Sequence, residues 1–97
     1  MHEVSIHEDA DDELKAAALF YESRESGLGE TFLDELASSF RLLREYPLSC
    51  NVLFEEYRRC RVRQFPYGVV YRIEGERVIV LAVAHSSRRP GYWRERR

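Results

Sequence analysis

The feature that most constrains this chain is a change of hydrophobic period near Pro47. Upstream, Ala10, Leu14, Ala17, Ala18 and Tyr21 fall at i, i+4, i+7, i+8 and i+11, one face of a helix beginning at about Asp9. Phe32, Leu36, Phe40 and Leu43 form a second stripe from about Glu30, and Pro47 stops it. Gly27 sits between them, where a helix C-terminus takes a left-handed residue, and Leu28 can pack back on the last turn. So short a turn predicts an antiparallel helical hairpin. Glu8, Asp9, Asp11, Asp12 and Glu13 crowd the start of the first helix, where negative charge meets the positive end of the helix dipole; that reading is preferred to a cation site.

Downstream the period drops to two. Strands are expected over Val52 to Glu55, Arg58 to Gln64, Tyr67 to Ile73 and Val78 to His85, with turns at Phe65-Pro66-Tyr67 and Glu74-Gly75-Glu76. Val78 to Ala84 is apolar on both faces, so this strand belongs in the middle of a sheet. A short alternating stretch, His2 to His7, adds an edge or flanking strand. The class is therefore α+β: an N-terminal strand and an antiparallel helical hairpin packed on a mainly antiparallel, four- to five-stranded twisted sheet. At 97 residues it is expected to be one domain, residues 1–97.

Charge is divided unevenly along the chain. Up to residue 50 there are 12 acidic and 4 basic side chains; from residue 51 there are 5 acidic and 11 basic, every basic one an arginine. The net charge of −2 conceals this basic half. Cys50 and Cys60 match no metal-ligand spacing and read as free thiols of a reducing cytosol. No apolar run approaches the roughly 18 residues of a membrane span, and no apolar leader opens the chain, so a cytoplasmic protein is expected. There is no glycine-rich phosphate loop and no ligand cluster, so neither cofactor nor metal is expected.

Alternation in the Arg58 to Gln64 strand puts Arg59, Arg61 and Arg63 on one face, with Cys60 and Val62 on the other. A two-residue loop at Gly75-Glu76 sets Tyr71 opposite Val80 and Val70 opposite Leu81, and a three-residue turn at Phe65-Pro66-Tyr67 sets Gln64 beside Gly68. These registers place Cys60, Val62, Val70, Ile79, Leu81 and Val83 under the helices. Arg59, Arg61, Arg63, Val69 and Tyr71 are left on an open basic face, with Arg58 extending the row. Guanidinium groups in a row with a neighbouring aromatic can pair with phosphates bidentately and stack on bases. Arg88, Arg89, Tyr92 and Trp93 follow the central strand directly and add to that composition.

Taken in order, Leu28-Gly29-Glu30, Phe32-Leu33, Phe65-Pro66-Tyr67, Val70-Tyr71-Arg72, the apolar strand into His85, Arg88-Arg89-Pro90 and Tyr92-Trp93 resemble the RelE/ParE family of toxins over nearly the whole chain. The resemblance implies the toxin of a type II toxin–antitoxin module, of the kind that stabilises plasmids, held in a hetero-oligomer by a cognate antitoxin. It implies one of two targets: DNA gyrase, bound without hydrolysis, for ParE-like members, or messenger RNA cut on the ribosome for RelE-like members. A degenerate homologue that only binds an antitoxin is the third reading.

Ribonuclease chemistry needs a base, an acid and positive charge on the transition state. The candidates are Arg59, Arg61, His85, Arg88 and Tyr92. Against them, His85 falls in line with Ile79, Leu81 and Val83, and a core-capping strand-end histidine is its commoner role. The position after the turn aromatic, an arginine in RelE-like enzymes, is Gly68 here. The preferred reading is thus the ParE-like one, with Arg59, Arg61, Arg63, Tyr71, Arg88, Arg89, Tyr92 and Trp93 as target-binding residues.

Overall fold

The computed structural model describes residues 1–97. Its elements are β1 (Glu3–Ile6), α1 (Glu8–Arg24), α2 (Leu28–Glu45), β2 (Val52–Phe54), β3 (Tyr57–Arg61), β4 (Tyr67–Glu74) and β5 (Arg77–His85). The five strands form one sheet in the order β1-β5-β4-β3-β2, antiparallel except for the parallel β1–β5 pair. β5, apolar on both sides, is internal and β1 is an edge, as the α+β reading required. The helical hairpin covers one face.

Local chemistry explains the hairpin. His7 Nδ1 accepts the Asp9 N–H at 3.0 Å and caps α1, with Glu8, Asp9 and Asp11 in its first turn. Between the helices Gly27 adopts φ 90°, and the Glu22 carboxylate accepts the N–H groups of Gly27 and Gly29, which α2 would otherwise leave unpaired. Phe32, Leu36 and Leu43 are buried on α2, facing Ala10 and Ala17 of α1 and the sheet.

The face assignment needs a correction. Val62 N–H donates to Tyr67 O at 2.9 Å and Gln64 takes φ 71°, so the β3–β4 loop is wider than a three-residue turn and Arg61, not Gln64, pairs with Gly68. The loop is drawn out because Phe65 tucks beneath the hairpin, 4.8 Å from the Tyr21 ring and 5.1 Å from Phe32. An odd shift exchanges the faces of every residue in β4 relative to β3. Cys60 therefore pairs with Val69, and Val69 and Tyr71 lie under the helices with Val62, Val78, Val80 and Val83. Tyr71 is fully buried, its hydroxyl donating to Pro47 O at 2.5 Å. A bulge is the second correction: Val70 pairs with Ala82 and Tyr71 with Val80, leaving Leu81 as the extra residue. Val70, Leu81, Ala82 and Ala84 consequently form a second apolar cluster on the other face.

That second cluster is not open to solvent. The segment after β5 winds back over it through a run of turns and buries Trp93, which stacks on Phe54 at 5.8 Å and meets Tyr57 edge-on at 4.8 Å. Cys50 and Cys60, read above as free thiols, are joined to each other, their Cα atoms 5.3 Å apart, which ties the segment after α2 to β3. No helix is long and apolar enough to cross a membrane.

Candidate anion-binding site

The arginines of β3 and of the loop after it are held in three different ways. Arg58 faces the helix side with Tyr71 and donates to the Cys50 and Leu48 carbonyls, at 2.8 and 3.4 Å. It holds the 48–50 segment and is no part of a basic row. Arg63 lies beyond the end of β3, exposed and outside the cavities described next. Arg59 and Arg61, opposite Val70 and Gly68, share the face that the C-terminal segment partly covers.

Two cavities open beside them. One, of about 430 Å³, is lined by Arg59, Arg61, Gln64, Phe65, Pro66, Tyr67 and Ser86. The other, of about 260 Å³, runs from Arg59 past Ser86 to Arg88, Arg89, Tyr92 and Trp93. Arg59 and Ser86 line both. Arg59, Arg61, Arg88 and Arg89 have no carboxylate within the 4.0 Å of an ion pair, whereas Arg72, Arg77, Arg94 and Arg96 each do. Four cations without a carboxylate partner, around two hollows that share Arg59 and Ser86, give this face a positive surface of the kind that attracts anions.

The remaining sequence candidates also make contacts inside the fold. His85 accepts the Ser87 N–H on Nδ1 at 3.0 Å, with Ser87 Oγ 2.8 Å away, and its ring meets the edge of Tyr67 at 5.1 Å. It faces a groove between β5 and α1 as well as the second cavity. The Tyr92 hydroxyl donates to Glu13 at 2.6 Å, and the ring lies 3.8 Å beneath the Arg88 guanidinium. Burial first, and then the Glu13 carboxylate, push the Tyr92 hydroxyl well above the usual tyrosine range. Neither Trp93, buried against the sheet, nor Tyr71, buried beneath the helices, presents a ring at the surface, contrary to their expected role as contact residues. Trp93 instead forms part of the wall of the second cavity, which Arg88 and Arg89 also line.

Sequence reasoning missed the residue that holds this wall in place. Glu13 reads as a dipole complement, yet its carboxylate takes the Val83 N–H at 3.0 Å, the Tyr92 hydroxyl, and Arg96 through two bonds of 2.9 and 3.1 Å. Arg96 also donates to Leu81 O at 3.0 Å, satisfying the bulged residue. The signal was available: Glu13 stands three residues after Ala10 and four before Ala17, a charge on the edge of an apolar stripe.

A helical hairpin on a bulged, mainly antiparallel sheet, with arginine-lined hollows beside β3 and the segment after β5, defines a small α+β domain. The family model described as ParE toxin of type II toxin-antitoxin system, parDE, matches residues 4–90, and the chain belongs to that family. Among solved structures it is similar to a chain of the chromosomal ParDE toxin–antitoxin system from P. aeruginosa, with 13% identity, a TM-score of 0.74, and coverage of 88% of this chain and 96% of that one. At that identity the likeness is one of fold. No curated protein matches the chain.

Proposed function

We propose that the chain inhibits growth by binding DNA gyrase in the cytoplasm, without cleaving RNA, and that a cognate antitoxin neutralises it in a hetero-oligomer. One observation carries this reading. The Tyr92 hydroxyl is tied to Glu13 and His85 Nδ1 to Ser87, while four arginines stand without a carboxylate partner. Such a set binds well and moves protons poorly. Stabilising a plasmid, or the locus that encodes it, follows from a lasting toxin and a labile antitoxin.

Induction of the gene in cells tests the proposal. A DNA-damage response with intact transcripts is the expected outcome. Site-specific cuts in translated messenger RNA, abolished by His85→Ala, would refute it in favour of a RelE-like ribonuclease.

A further inference from the structure

Gly68 stands inside β4, paired with Arg61 on one side and Ala84 on the other. Its φ is not positive, unlike Gly27, Gly75 and Gly91, so its backbone conformation is open to any L-residue. Glycine in a strand interior weakens the sheet and often marks a place where another group approaches closely. The close approach at Gly29 is to backbone, since a β-carbon there would come within 2.5 Å of the Ala18 carbonyl, and helix packing accounts for it. At Gly68 the nearest atoms a β-carbon would meet all belong to one side chain: it would overlap Arg59 Cζ and Nε and lie 2.7 Å from Nη2.

We propose that Gly68 is a seat for Arg59, which it holds as a pre-organised fork for an aspartate or glutamate side chain of a protein partner. Arg59 is the diagonal neighbour of Gly68 on the same sheet face, so with no side chain at 68 the guanidinium settles across β4 where the two cavities meet. The guanidinium fork is itself planar and rigid, so room to lie across β4 without an internal partner leaves its N–H groups free to pair with a carboxylate. The missing charge at position 68 is then the means by which its neighbour is positioned.

The aromatic groups favour a carboxylate over a nucleic-acid phosphate. Phe65 is buried with its ring edge-on to Phe32, and Tyr67 meets Tyr21, Phe32 and His85 edge-on, so neither is set out as a platform on which a base would stack. This inference rests on reading the chain as a protein-binding toxin, but its test does not involve gyrase or growth.

The test follows the Arg59 Nε–H resonance of the labelled, full-length protein during titration with a blocked tetraglutamate peptide and, separately, with single-stranded oligothymidylate. Expected is a saturable shift with the peptide that Gly68→Ala weakens by about tenfold, as loss of a bidentate charge-assisted contact would. The melting temperature of that variant is expected to be unchanged or higher. In an Arg59→Ala background, Gly68→Ala should make no further difference to binding. Arg59→Lys, which keeps the charge but not the fork, should lose as much as Gly68→Ala. Equal peptide binding by the wild type and Gly68→Ala, additive losses in the double variant, or tighter binding of oligothymidylate than of the peptide would each overturn the proposal. Any of these results would leave the gyrase reading to be judged on its own.

Discussion

Glu13 shows how one side chain connects the two ends of the chain. Its side chain and that of Arg96 are each only 17% exposed, and the pair joins α1 to the segment after β5. Removing one partner of a buried pair leaves the other uncompensated, so Glu13→Gln should cost about 2 kcal/mol, less than a fully buried pair would. For a domain this size that is a fall in melting temperature of about 10 °C. Trp93 emission should move to the red in the same variant, since the anchor of its segment is weakened. An unchanged melting curve would show that Glu13 is merely complementing the helix dipole.

Tyr92 supplies a pH test at the same scale. Burial and the Glu13 carboxylate raise its folded pKa above the ordinary value, about 10. The unfolded chain then releases this proton first as pH rises. Stability from the group is intact below about pH 10 and declines above it, by up to about 1.4 kcal/mol per pH unit. Tyr92→Phe should make the alkaline decline in melting temperature shallower by about one proton; equal slopes in the two proteins would deny the bond to Glu13 its role. Tyr21, Tyr67 and Tyr71 are shifted upward by burial too, so the decline is reduced and not abolished.

Among the elements, the C-terminal segment is where sequence and structure part most instructively. Tyr92 and Trp93 beside five arginines read as a contact surface, but Trp93 instead covers Val70, Leu81, Ala82 and Ala84. Trp93→Ala should therefore cost about 3 to 5 kcal/mol, as large buried aromatics do. Deleting Tyr92 to Arg97 is expected to lower the melting temperature and promote aggregation by uncovering an apolar sheet face, so a loss of toxicity on truncation would confound folding with binding. Arg88→Ala and Arg89→Ala, both exposed, separate the two: the fold should survive while partner binding weakens. Normal binding by both variants would remove this segment from the site.

Helices and strands were legible because their periods are local, and each needs only the residues within a few turns or alternations. Register was not. Whether Arg61 or Gln64 faces Gly68 depends on Phe65 reaching Tyr21 and Phe32, residues more than thirty positions away, and alternation holds no trace of that contact. The bulge at Leu81 is equally silent, because an unbroken apolar run looks the same with or without an extra residue. Arg59, Arg61, Arg88 and Arg89 could be found by composition as members of arginine-rich stretches, but which arginines lack a carboxylate is not written there. Arg58, Arg63 and Tyr71 could not be sorted from them until the register was known.

At the scale of the whole molecule the two halves divide the work. The acidic half supplies one edge strand and α1 and α2, which cover one face and anchor the tail through Glu13; the arginine-rich half supplies the other four strands and the arginines that lack a carboxylate partner. A surface with four uncompensated arginines invites a partner of opposite charge, which makes association fast and salt-dependent. Reversing the charge at its most exposed strand position, Arg61→Glu, should abolish growth inhibition with a change in stability within about 0.5 kcal/mol. A variant that folds normally and still arrests growth would detach the basic face from toxicity.

The most direct measurement is gyrase supercoiling with the purified chain, run beside a coupled translation reaction that reports cleavage of a test messenger RNA. Inhibition of supercoiling, lost in Arg61→Glu and reversed by the cognate antitoxin, with the messenger left whole, is the predicted result. Undisturbed supercoiling together with site-specific messenger cuts that vanish in His85→Ala would contradict it.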